Sequence, residues 1–270
     1  MGKVKVKIIG FSFSHRKGRN VAWMVKYALK AAEGFGVRIK EAAEVETEFV
    51  DTAGEKIRAC LACDKRYCEP NYGLPYKGER PEFGCIIKND YMARVLIPKL
   101  KEGDGFVFGS PVYGLSTSSQ WRLFANRLTD PLCHGVLVNK PAAAIAVATM
   151  PIGGQETCLD EMNRTIIASE MLSANWPIGV PCVSGPPNGP LPKDDDGKVI
   201  GVKNDKYGKT YALIAGRRVG EIAVMLALAK NALGDTHARE FLQRLHPPYG
   251  DESWAWRRLG KEIEDSIMGA

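Results

Sequence analysis

The chain has 270 residues, 45% hydrophobic and 25% charged, with a net charge of +6, the balance of a globular protein with a full core. Lys and Arg are scattered, with no polybasic block and no basic stripe interleaved with aromatics, so nucleic-acid binding is not expected; the positive balance suits anionic cofactors instead. The longest apolar run, Ala142 to Ala148, is too short to cross a bilayer, the N-terminus enters a strand with no signal-like segment, and seven cysteines point to thiol, metal or redox chemistry in the cytoplasm rather than to a disulfide scaffold.

The first element is a short apolar run, Val6 to Gly10, which reads as a buried strand. A polar loop follows, containing Ser12, Ser14, His15, Arg16, Lys17 and Arg19. Asn20 is then expected to cap an amphipathic helix whose apolar face is Val21, Met24, Val25, Ala28, Leu29 and Ala32. A strand that enters a helix through a small, hydroxyl-rich, cationic loop is a candidate anion site, because free N–H groups and the helix dipole converge there.

Glu44 to Asp51 alternates and reads as a second strand. Cys60, Cys63 and Cys68 come next, then a long Pro/Gly/Tyr-rich stretch from Glu69 to Gly84 without period, and then Cys85. Asn89 or Asp90 is placed to cap a helix running to about Lys101. Gly105 to Gly109 is a continuous apolar strand, Ser110 to Ser119 a loop and Gln120 to Leu128 a helix. Ala142 to Thr149 is a further buried strand, Gln155 to Ser173 a helix and Trp176 to Ser184 a last strand. Residues 185–208 form a surface excursion, Thr210 to Leu233 a long helix, and the tail carries His246 to Tyr249 and a helix around Trp254 to Ile267. Strands alternating with helices give an α/β, doubly wound parallel sheet, and five strands suit the flavodoxin-like order 2-1-3-4-5. In that order ligand sits where the loop at Ser12 meets the loop at Ser110.

Three segments carry a resemblance. Ser14-His15-Arg16-Lys17-Gly18-Arg19-Asn20 resembles the Ser-Pro-Arg-Lys-Gly-Gly-Asn-Thr loop that wraps the FMN phosphate in the NAD(P)H-dependent FMN reductase and iron-sulfur flavoprotein superfamily. It departs at His15, Arg19 and Val21, where that family has Pro, Gly and Thr. Ser110-Pro111-Val112-Tyr113-Gly114, followed by Ser116, resembles the segment whose main chain edges the isoalloxazine ring. The next helix, Gln120 to Leu128, matches the pattern Gln-Leu-Lys-x-Phe-x-Asp-Arg, with Asn126 in place of Asp. Gly153-Gly154-Gln155-Glu156 resembles a family turn, and the loop before it, with Thr149 and Met150, is implied to touch flavin. The resemblance spans roughly residues 3–185 and implies a flavodoxin-like FMN-binding domain over 1–233, with a C-terminal helical extension over 234–270.

The resemblance implies FMN as cofactor and NAD(P)H as co-substrate. A flavin enzyme of this kind needs binding residues rather than a catalytic acid or base, because the cofactor carries the chemistry. Tyr113 and Trp121 are aromatic neighbours of the ring or simply packing. Cys85-Ile86-Ile87-Lys88-Asn89-Asp90 is similar to the segment holding the last cluster cysteine in iron-sulfur flavoproteins. Cys60, Cys63, Cys68 and Cys85 are therefore candidate ligands of a [4Fe-4S] cluster, with zinc or plain buried thiols as alternatives; Cys133, Cys158 and Cys182 read as packing. Three functions follow: an FMN-binding NAD(P)H oxidoreductase reducing flavin, quinone or another small acceptor; an iron-sulfur flavoprotein carrying electrons between protein partners; or a non-catalytic flavodoxin-like binding module. The relatives imply a homodimer or homotetramer.

Overall fold

The computed structural model describes residues 2–63, 68, 85–133, 135–186 and 189–241. The expected helix at 254–267, the segment 246–249 and the whole stretch 69–84 lie outside the described residues. In chain order the elements are β1 (Val4–Ser12), α1 (Asn20–Arg38), β2 (Ala43–Asp51), α2 (Ile97–Glu102), β3 (Gly105–Pro111), α3 (Ser119–Asn126), α4 (Thr129–Cys133), β4 (Pro141–Ala148), α5 (Gln155–Ala168), β5 (Leu172–Ser173), β6 (Val180–Val183) and α6 (Lys206–Phe241). The strands form one parallel sheet in the order β2-β1-β3-β4-β5, with β6 also paired to β4. This is the flavodoxin-like order expected from the sequence, with a sixth strand.

Side chains alternate across β1 and divide the core in two. Val4, Val6 and Ile8 face α1 and α6, while Ile9, Phe11 and Phe13 face α2, α3 and α5. The second face is an aromatic cluster, with Phe13 4.7 Å from Phe124 and 5.2 Å from Trp121 between ring centroids. Trp121 is thus core packing. On the first face, Gly10 and Gly109 leave room for α1: an added Cβ would lie 2.6 Å from Val25 at the first position and 2.5 Å from Val25 at the second.

Four expectations need correction in detail. Asn20 does not cap α1. The cap is Arg19, in extended backbone and without a side-chain cap bond, and Asn20 is the first helical residue. Asp90 does cap the helical stretch before α2, accepting from the Ala93 N–H at 3.0 Å, and the first turn is π-wound over Met92–Leu96. α5 stops at Ala168 rather than Ser173. Glu170 takes a left-handed φ of 61°, the Met171 N–H donates to the Ile166 carbonyl and the Glu170 N–H to the Ile167 carbonyl. That is a Schellman closure built on a glutamate, so no glycine announces it. The expected strand 176–184 is realised only as β6, with β5 before it, and between them the Asn175 side chain accepts from the Ala144 N–H at 2.8 Å in place of a strand neighbour. α6 starts earlier than expected, at Lys206, and Gly234 interrupts it with φ 68° and ψ 169°.

Gly109→Ala is expected to lower stability by about 1–3 kcal/mol through overpacking against Val21 and Val25. Urea denaturation checks this: the midpoint should fall with the slope unchanged, and an unshifted midpoint would mean that α1 yields freely.

Candidate functional site at the ends of strands β1, β3 and β4

The loop from Phe13 to Arg19 is pinned on both sides. The Phe13 N–H donates to the Gly109 carbonyl at 2.8 Å, and the Ser118 hydroxyl donates to the Phe13 carbonyl at 2.7 Å. These bonds splice the end of β1 to the loop after β3, as the strand order requires. Ser14 is buried and its hydroxyl accepts from the Arg16 N–H at 3.1 Å, so it shapes the loop from within. Gly18 has φ 66°, and its N–H donates to Asp51 at the end of β2. Arg16 and Lys17 are exposed, while Arg19 and Asn20 are half-buried. α1 has no acidic residue in its first turn and no side-chain cap, so its positive end is open to an anion. Ser12 is fully buried, and its hydroxyl has no hydrogen-bond partner among the described residues. His15 turns toward the second loop: its Nε2 lies 3.1 Å from the Ser119 hydroxyl, and its ring centroid lies 5.7 Å from that of Tyr113.

The second loop is a tight hairpin. Tyr113 and Ser116 exchange both backbone bonds across Gly114 (φ 57°) and Leu115 (φ 61°). Two left-handed central residues make a reversed turn that normally takes Asn or Gly, so Leu115 is held in a strained conformation. Ser110 is buried; its hydroxyl donates to the Pro111 carbonyl and accepts from the Ser118 N–H. The Val112 N–H donates to the Val147 carbonyl, tying the loop to β4. In the third loop Gly154 has φ 91°, and any Cβ there would lie 2.7 Å from the Leu115 backbone. Gly153 N–H donates to the Gln155 carboxamide at 2.9 Å, whose amide donates to the Met150 carbonyl at 2.7 Å. Thr149 abuts Gly185, where a Cβ would meet the Thr149 carbonyl at 2.1 Å. Tyr113, Leu115, Met150 and Ile152 are large apolar side chains left exposed around these turns, an apolar platform beside a cationic loop.

A family match covers residues 6–175 and is described as NADPH-dependent FMN reductase. The chain belongs to that family. It is an FMN-dependent oxidoreductase, with a nicotinamide reductant implied by the family. An iron-sulfur flavoprotein of Methanocaldococcus jannaschii is 29% identical over 82% of this chain and 99% of its own length. One from Archaeoglobus fulgidus is 31% identical over 57% of this chain and 68% of its own. Among solved structures, RosB bound to 8-demethyl-8-formylriboflavin-5′-phosphate shares the fold with a TM-score of 0.53 at 16% identity, over 93% of both chains. A flavone reductase does so with a TM-score of 0.50 at 15% identity, over 80% of this chain and 62% of that one.

The site residues fit FMN on their own chemistry. A buried hydroxyl without a partner, an open helix N-terminus and three cations suit a phosphate, and the exposed apolar rim suits a flat ring. Ser12, Arg16, Lys17, Arg19 and the first turn of α1 would hold the phosphate. Tyr113, Gly114, Leu115 and the turn Met150–Gly154 would edge the ring.

The cysteines are distributed differently. Cys60 is exposed, and Cys63, Cys68 and Cys85 are half-buried. Among the described residues no three His, Cys, Asp or Glu side chains are gathered as a metal site; residues 64–67 and 69–84, between the candidate ligands, are outside that description. The two ends of this stretch are tied together at their base. The Arg58 N–H donates to Asp90 at 2.9 Å, the Tyr91 N–H to the Lys56 carbonyl at 3.0 Å, and Arg127 pairs with Asp90 at 2.9 Å. The pair is buried to within 2% exposure on both sides. Burial would raise the Asp90 carboxyl, but bonds from the Arg58 and Ala93 N–H groups and from Arg127 outweigh it and hold it low. Cys158 is pushed up to about 12 by burial, and Cys182 is likewise driven well above its ordinary value by burial, so both are inert as thiolates.

Several positioning residues carry no sequence signal. Glu161, on α5, accepts from the Ser116 hydroxyl and from the Thr117 N–H and hydroxyl at 3.0 and 2.9 Å, and pairs with Arg122 at 2.8 Å. Burial would raise its carboxyl, yet these bonds outweigh that and lower it. Gln155 and Asp51 brace the other two loops in the same way. Only the match of Gln155 to the family turn could have flagged one of them.

Glu161→Gln is expected to weaken FMN binding about 3–10-fold by loosening the Tyr113–Thr117 loop, measured by flavin fluorescence quenching. The carboxyl lies below its ordinary 4.5 in the folded protein, so its stabilisation is present above that value and fades as pH falls through the lower folded value. Wild type should lose more stability than the variant on acidification below about pH 4.5, and no difference between them below it would remove Glu161 from this role.

Proposed function

We propose that the three loops at the ends of β1, β3 and β4 form the FMN site of an NAD(P)H oxidoreductase whose acceptor is a flavin, a quinone or another small oxidant. The reading is carried by one observation: at the end of β1, just before the cationic run Arg16–Arg19 and the uncapped N-terminus of α1, the Ser12 hydroxyl is buried with no partner among the described residues. Bound FMN supplies two-electron acceptance from a nicotinamide and delivery to the acceptor. The protein's own work is positional. Ser12, Arg16, Lys17 and Arg19 would neutralise the phosphate. Gly154 lets the third loop close on Leu115, and the Tyr113–Ser116 turn sets one edge of the ring. The apolar rim of Tyr113, Leu115, Met150 and Ile152 is the surface a second subunit would cover in a homodimer or homotetramer. No described helix is long and apolar enough to cross a membrane, in line with a cytoplasmic enzyme.

A second reading is supported by the tied base of the cysteine stretch. Bonds among Arg58, Asp90 and Arg127 tie the base of the arm with Cys60 and Cys63 to the base of the arm with Cys85, and relatives of this chain are named iron-sulfur flavoproteins. Cys60, Cys63, Cys68 and Cys85 would then hold a [4Fe-4S] cluster, and the acceptor would be a redox protein. Four thiolates have the right softness for it.

The test is an absorption spectrum of anaerobically purified protein with iron and acid-labile sulfide measured on the same sample. Flavin bands with about four irons per chain select the second reading, flavin bands without iron the first, and failure to bind added FMN defeats both. Arg19→Ala should weaken FMN about tenfold, as loss of one charge-assisted phosphate contact does, and leave riboflavin affinity unchanged. An equal loss for riboflavin would move Arg19 away from the phosphate.

A further inference from the structure

Next to the phosphate loop is a cavity of about 640 Å³, the size of a site for a whole nucleotide rather than one phosphate. One wall is the loop itself, Arg16 to Asn20; the other is the excursion after β6. From the ring side only Thr149, just before the turn Met150–Gly154, lines it, and no residue of the Tyr113–Ser116 turn does; the rest is the phosphate loop and the segment after β6.

The excursion is a built wall. Lys193 and Val199 pair as an antiparallel bridge, with the Asp194 N–H donating to the Lys198 carbonyl at 2.8 Å and the Lys198 N–H to the Asp194 carboxylate at 2.6 Å. The Asn204 amide donates to the Pro190 carbonyl at 2.7 Å. Buried Ile200 and Val202 seat the hairpin on the core. Gly201 lets it approach Ser184 so closely that a Cβ would lie 1.9 Å from that carbonyl. The Val202 N–H donates to the Asn20 side chain at 3.3 Å. The residue expected to cap α1 instead fastens this wall to the phosphate loop.

The chemistry of the lining is divided. Arg16, Lys17, Arg19 and Lys198 give four cations and the lining holds no carboxylate, more positive charge than one flavin phosphate neutralises. Pro186, Leu191 and Val199 give an apolar side. Lys198 is met outside the cavity by Asp196 at 3.0 Å, a solvent-exposed pair of the kind that is weak enough to exchange for a phosphate. A flat base against an apolar side with phosphates on cations describes a nucleotide.

We propose that this cavity is an adenosine-phosphate subsite, contiguous with the FMN phosphate site, in which Lys198 contacts a phosphate and Leu191 and Val199 face the adenine. The proposal rests on the flavin reading above. Two redox ligands carry this group: the AMP half of FAD and the phosphoadenosine end of NADPH.

The experiment separates them. Apoprotein is titrated with FMN and with FAD by fluorescence quenching, and FMN-loaded protein with adenosine 2′,5′-bisphosphate by calorimetry, each in wild type and in Lys198→Ala. Leu191→Trp, which narrows the apolar side from an exposed position, serves as a second variant. Wild type is expected to bind FAD more tightly than FMN, or to bind the bisphosphate when FMN is present. In the first case FAD is the source, in the second NADPH. Either gain should fall about tenfold in both variants while FMN affinity stays within about twofold, a tenfold loss being about 1.4 kcal/mol. Three results overturn the proposal: no binding advantage for either adenylate, equal advantage in the variants, or an FMN loss in Lys198→Ala as large as the adenylate loss. Failure of wild type to bind FMN defeats the flavin reading itself, a separate outcome from intact FMN binding without an adenylate subsite.

Discussion

The seating of α1 on the sheet is the contact on which the rest depends. A helix normally stands about 10 Å from a sheet, held off by side chains on both surfaces. At Gly10 and Gly109 the sheet has no side chain, and Val21, Val25 and Leu29 occupy the space. Beside it on the same face of the sheet, α6 meets α1 as closely, where a Cβ on Gly216 would lie 1.9 Å from the Ala28 carbonyl. The helix is clamped from two sides, so its N-terminus has a fixed position over the ends of β1 and β3. A loop whose positive end is fixed in this way needs no reorganisation to receive an anion, the condition under which backbone dipoles act most strongly.

Around that point the polar side chains mostly serve one another. Ser14, Ser110, Ser118, Gln155 and Glu161 all close bonds within or between the three loops. Ser14, Ser110 and Gln155 close bonds within their own loops, while Ser118 to Phe13 and Glu161 to Thr117 join segments far apart in the chain, so the loop after β3 is held by both β1 and α5. Ser12 is the exception: buried on β1 and without a partner among the described residues, it is the kind of group that a ligand completes, since a buried hydroxyl left unpaired costs about 1–3 kcal/mol. The site therefore divides into scaffolding hydroxyls and a small set of groups still open: Ser12, the cations and the first turn of α1.

What the sequence showed and what it hid follow the range of each interaction. The strand order was legible because apolar runs such as Phe106–Phe108 and Ala142–Ala148 repeat between helical stretches, and period is a local property. The three site loops were legible because each follows one of those strands. The end of α5 was hidden because Glu170, not glycine, takes the left-handed position. The broken last strand was hidden because Asn175 replaces a backbone partner with a side chain. Asn20 was misassigned for a related reason: an amide able to cap its own helix instead reaches Val202, across more than half the chain. Glu161 sits mid-helix among other charged residues, and only its contact with Ser116 and Thr117 distinguishes it.

The cysteine stretch and the phosphate loop are linked through the end of β2. Asp51, its last residue, accepts from the Gly18 N–H in the phosphate loop, and its carbonyl accepts from the Tyr91 hydroxyl at 3.4 Å beside Asp90. Thr52 donates through both its N–H and its hydroxyl to the Ser12 carbonyl at 3.0 Å. From there the chain runs to Arg58, which meets Asp90 and Asn89. One carboxylate thus contributes to the shape of the phosphate loop, and the backbone beside it anchors the arm that carries Cys60 and Cys63. Asp51, Thr52 and Tyr91 are one polar connection between the two places; α3 is another, with Ser118 and Ser119 on the phosphate loop and Arg127, just past its other end, on Arg58 and Asp90. The phosphate loop and the arm that carries Cys60 and Cys63 thus share a support at the end of β2.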